Sequence, residues 1–337
     1  MLTILILTSA IDSQATHIMG ADISYKLINE TTGRYRFRVT LYRDCAGIQY
    51  ELGGAEQLVI NNNGFRTIIP LTKISDSEVT PVCLPPDVVS KPPTNCPGGT
   101  SGTPVLSNGI KGVTRWVGEA EYTIGYGANT WAYVGWTSCC RNNIINTIAN
   151  PGNAGVWVQA VINRDPSIKN NSTIFTSPPI PYWCRQRLNT YNHGSVDFFD
   201  DSLGLGYINV NMNGVPKAIK RDSLSFVLYT PHTGEAATMT DALNLNNPGV
   251  TFNAGLSRTN FLYTTGGVTM NPLTGSISCI PSISQDAIMA IAVIEWRAVP
   301  NATNTAYSRK MAGYVCRDIQ FTVRDICDPI FTPGVVD

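Results

Sequence analysis

The chain has 337 residues, only 14% of them charged, and its 24 Lys and Arg balance its 24 Asp and Glu. That balance leaves no basic footprint for nucleic acid and no polybasic patch for an anionic membrane surface. The length exceeds one average domain and predicts two, each large enough to bury its own core.

The polarity comes from Asn, Thr, Ser and Gly, with 29 Gly and 21 Pro. Together with many β-branched residues, this predicts an all-β chain rich in turns. Nine cysteines, at 45, 83, 96, 139, 140, 184, 279, 316 and 327, form no C-x-x-C pair of the zinc or thioredoxin type. Scattered in this way they favour disulfides and an oxidising compartment. The odd count leaves one thiol free or joined to another molecule.

At the N-terminus, Leu2 to Thr8 is a short apolar run, and Ser13-Gln14-Ala15 offers small residues for cleavage after Ala15. Residues 1–15 therefore read as a signal peptide, although the basic leader that should precede the run is missing. A buried first strand is the alternative. No other segment approaches the roughly 20 apolar residues of a membrane span.

Asp22 to Leu27 alternates, and Arg34 to Tyr42 alternates more strictly. Tyr35, Phe37, Val39 and Leu41 share one face of that strand, while Arg34, Arg36 and Arg38 line the wet one. The arginine row is expected to be solvated, with contact to an acidic polymer as the rarer use of such a face. Residues 46–110 are loop-heavy. A bridge between Cys83 and Cys96 there would contribute about 3 kcal/mol on the loop-entropy model.

Trp116 to Ile124, Trp131 to Trp136 and Val156 to Ile162 follow as strands. Trp131 and Tyr133 point to one face, and Ala132, Val134 and Trp136 to the other, so this strand should be central. Cys139 and Cys140, directly after it, cannot both serve one ordinary cross-strand bridge. They reach in two directions or close on each other in a ring. The stretch reads as a stapled structural centre before it reads as a redox site.

Residues 16–165 thus hold enough strands for one sandwich. The polar, aperiodic Arg164 to Ser172 marks the boundary, and 166–327 form a second sandwich. Thr176 to Cys184 is a proline-rich edge strand, and Asp197 to Leu203 an acidic turn. Ser223 to Tyr229, Ala287 to Trp296 and Gly313 to Val323 are strands, the middle one buried and central. Residues 328–337 read as a linker or tail. The expected fold is all-β, two immunoglobulin- or cadherin-like sandwiches stapled by disulfides.

Several short motifs occur in order: Ala15-Thr-His-Ile-Met-Gly20, Leu41-Tyr-Arg-Asp-Cys45, Cys139-Cys-Arg-Asn142, Asn192-His-Gly194, Asp201-Ser-Leu203, Asn271-Pro-Leu-Thr-Gly275 and Arg317-Asp-Ile-Gln320. The series resembles the N-terminal region of large secreted Bacteroidota cell-surface proteins, the gliding-motility-associated, PKD-repeat, adhesin-like family. That resemblance implies export by signal peptide, commonly followed by type IX secretion, whose C-terminal sorting domain is not found in this sequence.

The chain departs from the family pattern at Gly20-Ala21, where two glycines are usual. It departs again in the acidic turn, usually Asp-x-Asp-Gly-Asp-Ser-Leu. The family's turn looks like a calcium loop, so calcium at Asp197, Asp200 and Asp201 is the one cofactor implied. Carboxylates capping turn amides are the competing role. Asn271 to Gly275 resembles a turn of cadherin-like and immunoglobulin-like domains. Asp201-Ser-Leu203 and Asp222-Ser-Leu224 resemble an O-glycan acceptor pattern of the same phylum.

Catalysis finds little support. His17, His193 and His232 are far apart in sequence and belong to no metalloprotease motif, and no nucleophile elbow, P-loop or Rossmann fingerprint occurs. The expected role is a secreted surface module, structural or adhesive, whose partners are copies of itself, other surface proteins or extracellular glycans. The alternative is a carbohydrate-binding module using the loop aromatics Tyr182, Trp183, Phe198 and Phe199. The competing role for these four is to plug an interdomain junction. For the staples the expected pairs are Cys83 with Cys96, Cys45 with Cys139 or Cys140, and Cys184 with Cys316 or Cys327.

Overall fold

The computed structural model describes residues 18–45, 56–79, 112–128, 130–179, 181–197, 207–235 and 249–325. The first half contributes β1 (Ile18–Asn29), β2 (Arg34–Asp44), β3 (Gln57–Asn62), β4 (Phe65–Pro70), β5 (Thr72–Glu78), β6 (Val113–Thr123), β7 (Trp131–Ser138) and β8 (Val156–Asn163). The second half adds the short β9 (Ile174–Phe175), β10 (Tyr182–Cys184), β11 (Asn189–Tyr191) and β12 (Ser195–Val196). It continues with β13 (Tyr207–Met212), β14 (Val215–Lys220), β15 (Asp222–Tyr229), β16 (Thr264–Met270), β17 (Ile277–Pro281), β18 (Gln285–Pro300) and β19 (Tyr307–Arg324). Among the described residues the only helical turn is the 3₁₀ segment Pro151–Asn153. The chain is all-β, as its composition predicts.

One 12-stranded sheet dominates, with the order β4-β3-β7-β8-β19-β1-β2-β6-β5. Its hub is β19. One edge of this 18-residue strand carries β18 along nearly its whole length, and β15 pairs beyond β18. The other edge carries three partners in succession: β8 at Gly313–Val315, β1 at Arg317–Ile319, and β10, in parallel, at Thr322–Arg324. A strand shared by β8 and β1 forces their leaves to diverge and then face each other.

The alternation of each leaf fills the space between them. Tyr35, Phe37, Val39 and Leu41 of β2 meet Ala132, Val134 and Trp136 of β7 and Val158, Ala160 and Ile162 of β8 in one buried cluster. On the far side, β4 passes through the buried Leu71 straight into β5, so the two outermost strands are joined by one residue. The sheet therefore curls to near closure, a flattened barrel with a packed interior.

Two mid-strand glycines are set by tryptophan rings rather than by turns. A Cβ on Gly118 would lie 2.2 Å from the Trp116 ring, and one on Gly135 would lie 2.3 Å from Trp157. Gly313 answers a different demand: a Cβ there would lie 2.4 Å from the Val161 carbonyl oxygen, where β8 joins the hub.

Both faces of β7 are covered, as its sequence predicts. Ala132, Val134 and Trp136 enter the main core, while Tyr133 packs with Trp157, Val161, Ala292 and Tyr314 in a second cluster. The division into two sandwiches is not seen. The sheet runs unbroken across residue 165, and the main core also takes Phe226, Ile277, Ile291 and Phe321 from the second half.

The segment expected to be a linker is a buried strap. Ile168, Asn170, Ser172 and Thr173 are each at most 3% exposed. Ser172 receives the Tyr25 amide on Oγ at 2.7 Å and donates its own amide to the Tyr25 carbonyl at 2.9 Å. Asn171 accepts the Leu27 amide at 2.8 Å. The strap thus pairs the part of β1 that β19 does not reach, and its polar residues serve as ladder partners.

Candidate functional site

Consecutive residues on β19 point to opposite faces, and each closes a buried ion pair with the first half of the chain. Arg317 sits directly opposite Asp22 of β1 and donates to its carboxylate at 3.1 Å. It also donates to the Ser177 carbonyl at 2.6 Å, the Tyr191 hydroxyl at 3.2 Å and the His193 carbonyl at 3.4 Å, and it lies over the Phe175 ring. Asp318 accepts two bonds from Arg141, at 2.8 and 2.7 Å, and Arg141 donates further to the His232 carbonyl at 3.1 Å. Arg141 and Asp318 are almost fully buried. The Cys139 to Asn142, Asn192 to Gly194 and Arg317 to Gln320 motifs, scattered in sequence, therefore converge on β19.

A third buried cluster anchors the strap. Arg297 of β18 donates to both oxygens of Asp222 at 2.9 and 3.1 Å, to Asn170 Oδ1 at 3.0 Å and to the Lys169 carbonyl. Two residues earlier, Glu295 accepts from Asn170 Nδ2 and from both the amide and the hydroxyl of Thr173. Burial, with Asp197 as the next cause, pushes the Glu295 carboxyl up to about 7. Neither residue stands out by motif. A Glu and an Arg closing the apolar run Ala287 to Trp296 were the available sign, because a charge at the end of a buried strand needs a partner.

The cysteines depart from the expected pairing. Cys139 and Cys140 are bonded to each other, the ring alternative, so neither is available to Cys45. Cys45 and Cys184 are each disulfide-bonded, with partners outside the described residues. Cys316 is a free, buried thiol rather than the partner of Cys184, and Cys279 is likewise free and buried. Burial pushes each thiol up to about 12, and Cys316 also meets the Tyr229 side chain and the Gln159 backbone. A Cys83–Cys96 bridge and the role of Cys327 lie outside the described residues.

Trp183 is not a surface aromatic. It is 3% exposed and packs edge-on against Phe321, 4.7 Å between ring centroids. Tyr182 is half-buried against Met19, Tyr42 and Val113. Phe198, Phe199, Asp200 and Asp201 lie outside the described residues, as does His17. Asp197 stands near Glu295, and no group of three metal-type side chains occurs among the described residues. The His193 ring is buried between Phe175 and Tyr191, and among the described residues neither nitrogen has a hydrogen-bond partner.

The outer face of the β1–β2–β6 leaf carries a cleft of about 460 Å³. Its floor comes from the outward positions of β1, β2 and β6, and its walls from β5 and from Ile174 and Phe175 of β9. Arg38 lies directly opposite Glu119 and Arg36 opposite Glu121, with contacts at 2.6 and 2.7 Å. Asp22 and Tyr42 close its inner end, backed by Arg317. Comparison with known proteins adds nothing to this geometry: no family model, no curated protein and no solved structure matches the chain.

Proposed function

We propose that this chain is a secreted surface module with structural or adhesive duty. The observation that carries the reading is the state of the cysteines: Cys45, Cys139, Cys140 and Cys184 are all disulfide-bonded. Such bonds persist in oxidising compartments and are rare where thiols are kept reduced. The interior fits the same duty. Three buried arginines, Arg141, Arg297 and Arg317, are committed to ion pairs with Asp318, Asp222 and Asp22 that tie loops and strap to the sheet, which stiffens a body.

The alternative, a carbohydrate-binding module using loop aromatics, loses its central residue because Trp183 belongs to the core. Partners remain copies of the chain, other surface proteins or extracellular glycans. Calcium in the acidic turn and the gliding-related setting stay part of the proposal, carried by the motif resemblance alone. Non-reducing peptide mapping of native material tests the reading. Intact Cys139–Cys140 in an extracellular fraction supports it, and fully reduced thiols in native material overturn it. Negative-stain images separate the two duties: fibres or arrays favour assembly, and dispersed particles favour a terminal adhesive module.

A further inference from the structure

We propose that the cleft on the outer face of β1, β2 and β6 binds a linear acidic polysaccharide, with Lys26 and Arg115 as its two free cationic contacts. This deepens the adhesive reading. It rests on that reading for the setting in which such a polymer is met, and not for the binding itself.

Among the described residues the cleft is lined by Lys26, Arg36, Arg38 and Arg115 against two carboxylates, Asp22 and Glu119. Both carboxylates are taken: Asp22 by Arg317 from behind, Glu119 by Arg38 at its side. Arg36 in turn is held by Glu121. Lys26 and Arg115 are exposed and make no ion pair or hydrogen bond among the described residues. The surplus is therefore positive on a chain whose total charge is zero.

Spacing adds a shape. Lys26 stands opposite Arg36 on β2, and Arg115 stands opposite Tyr42, six residues further along the same strand. At a strand's rise this separates the two cations by roughly 20 Å. A single small anion cannot answer both, whereas an extended polymer carrying repeated carboxylates can. Between the two cations the lining offers the half-buried hydroxyls of Ser24 and Ser75. Hydroxyls beside guanidinium forks suit a ligand that alternates hydroxyl and carboxylate groups.

The position argues against an acidic peptide. Strand addition needs an open edge, and the cleft floor has none, since β2 is paired on both sides by β1 and by β6; only the β5 wall is a terminal strand. A single-stranded nucleic acid would want stacking platforms. Here Phe175 already lies against Arg317, and Tyr42 is buried.

The test is a titration of the full chain with an oligogalacturonate long enough to span the cleft. A neutral glucan oligomer and poly-glutamate serve as parallel probes. Oligogalacturonate should bind, the glucan should not, and affinity should weaken with added salt. Lys26→Gln with Arg115→Gln should lower that affinity at least about tenfold, as expected for losing two charged contacts. Lys26→Arg with Arg115→Lys, which keeps both charges, should restore most of it. Arg34→Gln, on the same leaf but outside the cleft, should change little. The inference is overturned by absent oligogalacturonate binding, by equal loss in Arg34→Gln, by an unchanged double variant, or by poly-glutamate binding as well. Each result comes from purified protein, so it stands apart from the cysteine mapping that tests where the chain resides.

Discussion

At the scale of single residues, two buried titratable groups pull stability in opposite directions. Glu295 rises from 4.5 to about 7, mainly through burial. A carboxyl that keeps its proton better when folded stabilises the fold fully below about pH 4.5, and that contribution is lost as pH climbs through about 7. The displacement corresponds to on the order of 3 kcal/mol. Glu295→Gln retains an acceptor for Thr173 and cannot ionise. In urea titrations its stability relative to the parent should therefore improve steadily from about pH 5 to about pH 8. A pH-independent difference would count against the assignment.

His193 works the other way. Burial first, and then Arg317, push its imidazole well below 6.5. Its neutral form favours the fold above that value, and the contribution is lost as pH falls towards the folded-state value. His193→Phe should flatten the acid limb of the same titration while leaving the limb above neutrality unchanged. The ion pairs behave differently again. Arg141→Ala leaves the buried Asp318 without its counter-charge and should cost about 3–5 kcal/mol. Arg141→Met with Asp318→Leu should recover most of that loss in the urea midpoint.

At the scale of elements, what was legible followed from periodicity. The β2 alternation of Tyr35, Phe37, Val39 and Leu41 against Arg34, Arg36 and Arg38 reads directly as one buried and one wet face. The aromatic β7 and the apolar β18 announce themselves as covered strands in the same way. The strap did not, because Arg164 to Ser172 has the polarity of a linker. Its partners, Tyr25 and Arg297, lie more than 100 residues away in sequence. No local pattern distinguishes an asparagine facing water from one facing a buried guanidinium. Trp183 was half legible: the proline-rich stretch around it reads as an edge strand and does pair with β19, but its ring enters the core beside Phe321 instead of facing a ligand.

Ser172→Ala checks the strap directly. It strands the Tyr25 amide in a buried position and should cost about 1–3 kcal/mol, with faster amide exchange along the Tyr25 end of β1. Equal exchange in parent and variant would mean that the strap does not serve as a ladder partner.

At the scale of the whole molecule, length alone misjudged the architecture. A chain of 337 residues invites division into two bodies, yet β18 and β19 complete a sheet begun by β1 and β8. Only long-range pairing reveals this, because the strands on either side of residue 165 each look sufficient by themselves. The consequence is measurable. Calorimetry should find one main unfolding transition with equal calorimetric and van't Hoff enthalpies. A fragment of residues 16–165, deprived of its hub, should show no cooperative melt. Two separable transitions, or a folded fragment, would restore the two-body view.

The place of β19 in the chain bears on how the protein comes into being. Every leaf of the barrel waits for β19, which follows some three hundred residues of this sequence, an interval of roughly 15–60 s at ordinary rates of synthesis. Until then β1 and β8 have only their local hairpin neighbours, and their apolar faces have nothing to close upon. A nascent polypeptide of this design stays pliable through almost all of its production and becomes rigid in a single late step. Chaperone dependence should accordingly vanish only once Arg324 has cleared the machinery that makes or moves the chain.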